Sequence, residues 1–113
     1  MTEAARRALF DECVPRRLLR RHLADLEASH VRDEGWSGRR NGVLLRSMQD
    51  AGFTTLVTVD RNLVYQQNVA SAGVGVIVLH ARGNRTEDLV PLIPALRSAL
   101  AEIGAGEVRH IGV

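Results

Sequence analysis

Short apolar runs alternate along this chain with longer segments whose apolar residues recur at helical spacing. The short runs predict strands, and they cover residues 8–10, 30–32, 54–59, 74–79 and 108–111. The longer segments predict three helices, which run from Pro15 to about Ala28, from the cap residue Asn41 to Gly52, and from about Thr86 to Ile103. This alternation is typical of an α/β fold assembled from βαβ units.

The predicted strands fit one central sheet of about five mostly parallel strands, with helices on both faces. A strand order of 2-1-3-4-5 places the first and third strands side by side, at the topological switch point of the sheet. With 113 residues and 45% hydrophobic content, the chain fits a single domain over residues 1–113.

Carboxylates follow the first, second and third predicted strands. Asp11 and Glu12 follow the first, Asp33 the second and Asp60 the third. Because open α/β sheets bind ligands at their carboxyl edge, we expect Asp11 and Asp60 to flank one crevice. Such a cluster predicts a site for Mg²⁺ or Mn²⁺, with Asp11 and Asp60 as leading ligands and Glu12 and Asp33 as supporting ones. A divalent ion in this position favours phosphodiester hydrolysis.

Two other interpretations of these carboxylates stay open. In the first, Asp11 and Glu12 cap the first helix, and Asp60 opens a turn by accepting backbone amides. In the second, the chain is a receiver domain of a response regulator, which has a similar length and carries acidic residues after the same strands. Receiver domains also need a lysine after the fifth strand. This sequence contains no lysine, which counts against the second interpretation.

All 15 strongly basic residues are arginines, although the formal net charge is only +2. Arginine presents a planar fork of donors that suits phosphate. The clusters at residues 16–17, 20–21 and 39–40 are therefore candidates for contacts with a nucleic-acid backbone. They fit the solvated face of a helix equally well.

The single Cys13 cannot form an internal disulfide, which agrees with a reducing compartment. No apolar stretch approaches the roughly 20 residues needed to cross a bilayer, and the first residues lack the apolar segment of a signal peptide. The sequence therefore predicts a soluble cytoplasmic protein without membrane contact.

Three motifs occur in order along the chain: LFDECVP at residues 9–15, VRDEGWSG at residues 31–38 and VTVDRNL at residues 57–63. Over residues 8 to about 80, the chain with these motifs resembles the compact PIN-like predicted nucleases, small relatives of the VapC-type ribonucleases. The resemblance implies a three-layer PIN-like domain in which Asp11, Glu12 and Asp60 belong to the metal-binding core. It departs from the family pattern at Asn41 and Asn62, where many members carry acidic residues.

The resemblance implies a Mg²⁺- or Mn²⁺-dependent ribonuclease that acts as the toxin of a toxin-antitoxin pair. Its expected partners are an RNA substrate, a cognate antitoxin protein and a second copy in a homodimer. The alternative is a catalytically degenerate PIN-like module that binds RNA or protein, because amides at Asn41 and Asn62 contribute no negative charge.

Four further residues are candidates for substrate contacts. Asn62 positions water or metal, Tyr65 stacks on an unpaired base or packs on the domain, and Gln66 adds hydrogen bonds nearby. Arg82 follows the fourth strand, and we expect it to contact a phosphate there. The four histidines show no spacing typical of metal ligands, so we expect them to be structural or exposed.

Overall fold

The computed structural model describes residues 7–62 and 72–112. Its strands are β1 (Ala8–Phe10), β2 (Ala28–His30), β3 (Thr55–Thr58), β4 (Gly75–Leu79) and β5 (Val108–Ile111). Its helices are α1 (Arg16–His22), α2 (Asn41–Ala51), α3 (Thr86–Leu89) and α4 (Ile93–Glu102), and a 3₁₀ turn, Val90–Leu92, joins α3 to α4. Within these described ranges, no helix is long and apolar enough to span a membrane.

The strands form one parallel sheet in the order β2-β1-β3-β4-β5. This order confirms the predicted α/β class and the predicted placement of β1 beside β3. Phe10 and Val57 are register partners, so β1 and β3 end almost level at the carboxyl edge. The Asp11 amide continues the pairing by donating to the Val57 carbonyl at 2.9 Å. The residues that follow these two strands therefore emerge side by side.

Helices cover both faces of the sheet, which gives three layers. On one face, Phe10 and Ile77 pack against apolar side chains of α1, α3 and α4. On the other face, Leu9 and Leu56 pack against α2. All four side chains are fully buried, and each such burial contributes about 1.5–3 kcal/mol to folding. The two cores hold β1 and β3 rigidly at the centre of the domain.

The first helix is shorter than its pattern predicts. α1 ends at His22, although helical spacing continues to about residue 28. Residues Ala28–His30 pair with β1 instead, and the Ala8 amide donates to the Glu27 carbonyl at 3.2 Å. The second strand accordingly lies two residues before its predicted position. Pairing with the buried central strand outweighs local helical preference there.

The ends of the later helices also differ from the prediction. Asn41 is the first residue of α2 and Arg40 holds the cap position, so the predicted Asn41 cap was wrong. Gly52 ends α2 as predicted, in the left-handed conformation at φ 84°. The helix predicted over residues 86–103 divides into α3, the 3₁₀ turn and α4. Pro91 and Pro94 lie at the starts of the last two, where a missing amide hydrogen is tolerated.

The connections from β1 to β2 and from β4 to β5 have opposite hands. Both place their helices on the face that carries Phe10, but they step in opposite directions across the sheet. One of the two therefore departs from the right-handed rule for parallel crossovers. The consequence is local: the segment before α3 comes to lie beside the start of α1, and the Asn84 side chain donates to the Cys13 carbonyl at 3.3 Å.

Gly112 provides a test of how β5 is held. Its φ is +86°, and a Cβ there would lie 2.2 Å from the carbonyl oxygen of His80. We expect Gly112→Ala to destabilise the protein by more than the roughly 1–2 kcal/mol of the backbone conformation alone. Urea denaturation measures the loss. Gly35→Ala is the matched control, because Gly35 has φ +76° and open space around it. Equal losses in the two variants would contradict the close approach.

Candidate functional site

Asp11 lies directly after β1 and is held by uncharged donors. The Thr58 hydroxyl, at the end of β3, donates to Asp11 Oδ2 at 2.7 Å. The Glu12 amide donates to Asp11 Oδ1 at 2.8 Å. Thr58 is completely buried, whereas Asp11 is only half-buried. The carboxylate is therefore fixed in position and still reaches solvent.

Asp60 is connected to Asp11 through Thr58. The Thr58 hydroxyl oxygen accepts from the Asp60 amide at 3.0 Å while it donates to Asp11. The exposed Asp60 carboxylate accepts from the Asn62 amide at 2.9 Å through Oδ1. The turn that the sequence allowed at Asp60 is thus present. Only one of its two oxygens is used for that turn among the described residues.

Cys13 contacts both Asp11 and Thr58. Its sulfur lies 3.5 Å from Asp11 Oδ2 and 3.5 Å from the Thr58 hydroxyl oxygen. Burial raises the pKa of the Cys13 thiol, and the negative charge of Asp11 raises it further. Hydrogen bonds from Thr58 and the Val59 backbone oppose this rise without cancelling it. Cys13 is therefore a protonated thiol at neutral pH.

Glu12 and Asp33, the predicted supporting ligands, are engaged elsewhere. Glu12 Oε1 accepts from the Gly38 amide at 3.1 Å, which directs this carboxylate toward the loop after β2. Asp33 forms an ion pair with Arg16 and lies 3.6 Å from Arg20, both on α1. The structure thus connects Asp11 with the Asp60 backbone through Thr58, whereas Asp33 is paired with arginines of α1.

The structure describes two of the four residues that the sequence predicts to contact substrate. Asn62 and Arg82 are exposed, in the turn after β3 and in the loop after β4 respectively. Tyr65 and Gln66 lie outside the described residues. Nothing in the described part of the chain tests these four roles, and they stay predictions.

A groove of about 550 Å³ opens beside Cys13 at the same edge of the sheet. It lies between the start of α1 and the segment that precedes α3. It is lined by four arginines from three segments, together with Glu12 and Glu87. The arginines are Arg16, Arg17, Arg32 and Arg85. The groove is therefore suited to a ligand with negative charge.

One buried histidine supports the floor of this groove. His30 is 1% exposed, and its Nε2 lies 2.6 Å from the Val14 carbonyl oxygen. Its Nδ1 accepts from the Arg32 amide at 3.1 Å, so Nε2 carries the proton and donates to Val14. His30 thus joins the end of β2 to the loop before α1. Its role is structural, as the sequence predicted.

Two elements of the site were missed by reasoning from sequence. In the sequence, Thr58 is one more β-branched residue of a strand. Its hydroxyl reaches Asp11 only because β1 and β3 end at the same height in the sheet. Asn84 gave no signal either, because its contact with Cys13 depends on the hand of the β4–β5 connection. Its place soon after a strand end is a weak hint at most.

Asp11 and Asp60 have the chemistry of hard-cation ligands. Neither forms an ion pair with an arginine within residues 7–62 and 72–112, and their partners there are uncharged donors. In the same ranges, no group of three or more His, Cys, Asp or Glu side chains is arranged to hold a metal ion. Mg²⁺ typically binds one or two protein carboxylates and completes its shell with water and substrate phosphate. Two carboxylates are therefore a sufficient protein contribution.

Comparison of the chain with models of protein families, with curated proteins and with solved structures finds no match.

The proximity of Asp11 to Cys13 predicts a change in thiol reactivity. In Asp11→Asn the negative charge beside the sulfur is lost, so the pKa of Cys13 falls and more thiolate is present at a given pH. We expect alkylation by iodoacetamide near neutral pH to become roughly threefold faster. The rate is measured as a function of pH. Asp33→Asn is the control, since Asp33 is paired with Arg16. A higher plateau without a shifted midpoint would indicate loosened structure and contradict the electrostatic explanation.

Proposed function

We propose that this chain is a divalent-metal-dependent ribonuclease whose site is built on Asp11 and Asp60. The observation that carries the proposal is the hydrogen-bonded connection from Asp11 through the Thr58 hydroxyl to the Asp60 backbone. It joins two carboxylate-bearing strand ends at the point where an open α/β sheet binds ligands. The PIN-like motifs support the same assignment.

Asp11 and Asp60 would hold Mg²⁺ or Mn²⁺. Each carboxylate oxygen can accept more than one bond, and those of Asp11 accept only from neutral groups of the described residues. When bound, such an ion supplies a more acidic water and neutralises charge on the phosphate undergoing attack. The Thr58 hydroxyl keeps the Asp11 carboxylate in one orientation. Cys13 holds its proton, so its sulfur adds no charge beside that carboxylate.

The arginine-lined groove would bind the RNA backbone next to this site. Cys13 lines the groove and also contacts Asp11, which makes the two features adjacent. Guanidinium groups bind phosphate oxygens through paired hydrogen bonds and carry no sequence information of their own. The resemblance adds an antitoxin and a homodimer as partners, and these too are proposals.

The decisive experiment combines metal binding with RNA cleavage. Mn²⁺ is titrated calorimetrically into wild type, Asp11→Asn and Asp60→Asn, and cleavage of a single-stranded RNA is followed with and without the ion. We expect each substitution to weaken Mn²⁺ binding at least about tenfold and to lower cleavage by at least about a hundredfold. Asp25→Asn is the matched control, because Asp25 is paired with Arg97 away from the site.

The outcomes separate the ribonuclease from a degenerate module. Equal Mn²⁺ binding by wild type and both site variants, with no cleavage by any of them, would overturn the proposal. In that case the chain would be an RNA-binding or protein-interaction module. Loss of metal binding and cleavage in Asp25→Asn as well would mean that the substitutions act through stability. Thermal denaturation of each variant checks that point.

The groove makes a separate prediction about RNA binding. In EDTA, where cleavage is absent, Arg32→Ala and Arg85→Ala should each weaken RNA binding and reduce the slope of log affinity against log salt by roughly 0.7. Fluorescence anisotropy at several salt concentrations measures both quantities. Arg46→Ala is the control, since Arg46 is an exposed arginine of α2 outside the groove. An unchanged slope in the two groove variants would exclude phosphate contacts there.

A further inference from the structure

Two imidazole rings are in direct contact where β4 and β5 end. His80 follows β4 directly, and His110 lies near the end of β5. His80 Nε2 is 2.8 Å from His110 Nδ1, so one nitrogen of each ring faces the other ring. His80 is half-buried and His110 is exposed. The pair is therefore open to a small ion from solution.

The backbone holds the two histidines in this relation. Val78 is the register partner of His110, and His80 lies two residues beyond Val78 along the chain. Because alternate residues of a strand share a face, both imidazoles leave the same face of the sheet. The His80 amide donates to the Ile111 carbonyl at 2.8 Å. Gly112 passes so close to His80 that a Cβ there would lie 2.2 Å from the His80 carbonyl oxygen. Adjustment of the pair is thus left to the side-chain torsions.

The distance between the facing nitrogens fits coordination of a single ion. Zn²⁺ binds imidazole nitrogen at about 2.0–2.1 Å, and two bonds of this length at a right angle place their nitrogens about 2.9 Å apart. At a tetrahedral angle the nitrogens would be about 3.3–3.4 Å apart. The observed 2.8 Å is closer to the right-angled value. Right angles between neighbouring ligands are typical of the tetragonal complexes of Cu²⁺ and Ni²⁺.

Neutral imidazoles can supply both ligands without a net loss of protons. In the contact between the rings, one facing nitrogen carries a hydrogen and the other accepts it. When an ion binds, that hydrogen leaves the facing nitrogen and the outer nitrogen of the same ring takes up a proton, so the ring stays neutral. Both facing nitrogens then have a free electron pair. Rotation about the side-chain torsions directs the two electron pairs to one ion, and each outer N–H donates to water.

We propose that His80 and His110 form a binding site for a divalent transition-metal ion, with Cu²⁺ and Ni²⁺ preferred over Zn²⁺. Water completes the coordination, since residues 7–62 and 72–112 contain no group of three or more side chains arranged to hold a metal. These ions favour imidazole, whereas Mg²⁺ and Mn²⁺ favour oxygen ligands. The site therefore differs from the proposed site at Asp11 and Asp60 in its residues and in its metal, and it does not rest on the proposed function.

The test uses the intact protein and Cu²⁺ held by iminodiacetate, a chelator that leaves neighbouring coordination positions open for a pair of imidazoles. Calorimetric titration at neutral pH measures the affinity and should give one Cu²⁺ complex per chain. Electron paramagnetic resonance of the bound ion should show two imidazole ligands. His110→Asn and His80→Asn should each weaken binding at least about tenfold, because one point of attachment is lost. Each variant should also show one imidazole fewer on the ion.

His22→Asn is the matched control, since His22 is an exposed histidine at the end of α1. It should bind the Cu²⁺ complex as wild type does. Equal affinity of wild type and His110→Asn would overturn the proposal, as would a single imidazole on the ion in wild type. Because His110 is exposed, its replacement tests the site even where His80→Asn disturbs the end of β4.

Urea denaturation gives a second measurement. An ion that binds only the folded chain stabilises it, so the Cu²⁺ complex should raise the urea midpoint of wild type and not that of His110→Asn. Failure of this proposal is distinguishable from failure of the ribonuclease proposal. A chain that binds the complex as expected and never cleaves RNA retains this site and loses the ribonuclease function. A chain that cleaves RNA while wild type and His110→Asn bind the complex equally retains the ribonuclease function and loses this site.

Discussion

The hydrogen bond from the Thr58 hydroxyl to Asp11 Oδ2 is the contact on which the candidate site depends. It exists because the chain passes from β1 to β2 and back across to β3, which leaves the ends of β1 and β3 adjacent. A hydrogen bond to an ionised carboxylate is about twice as strong as one between neutral groups. This bond also leaves the Thr58 oxygen able to accept from the Asp60 amide. One buried hydroxyl thus connects the residues after two strand ends and orients one carboxylate.

Among the described residues, arginines pair with several carboxylates of the chain but not with Asp11. The chain is rich in arginine, and arginine pairs with Asp25, Asp33 and Glu107 on the surface. Asp11 and Asp60 accept only from uncharged donors within the described ranges, although arginines line the neighbouring groove. An exposed pair contributes at most about 1 kcal/mol, so those contacts are minor for stability. Their relevance is electrostatic: they neutralise other carboxylates and leave negative charge at the switch point.

The strand order and the adjacent ends of β1 and β3 could be predicted because they follow from periodicity and from general rules of parallel sheets. The features that could not be predicted from the sequence depend on long-range contacts. Helical spacing of apolar residues continues past His22, but Ala28–His30 pair with the buried strand β1 instead of extending the helix. Asp33 follows its strand much as Asp60 does, yet α1 brings Arg16 against it, which no local pattern reveals.

The groove and the contact between His80 and His110 could not be predicted from the sequence for a similar reason. Asn84 reaches Cys13 because the β4–β5 connection lies on the same face of the sheet as α1. His80 and His110 are thirty residues apart and show no ligand spacing, and the register of β4 with β5 alone brings them into contact. The carboxylates that end strands are visible in a sequence, whereas the groups gathered around them by tertiary structure are not.

The charges at the carboxyl edge are arranged by strand, and this arrangement has a thermodynamic consequence. The carboxylate of Asp11, at the end of β1, lies beside the arginine-lined groove, because Cys13 contacts Asp11 and also lines the groove. A polyanion bound along the groove is attracted by the arginines and repelled by the neighbouring carboxylates unless a cation is present beside them. A cation that neutralises these carboxylates therefore strengthens binding of the polyanion, and by linkage the polyanion strengthens binding of the cation by the same factor. Two carboxylates that hold a divalent ion weakly on their own would thus hold it more firmly when a nucleic-acid strand is bound.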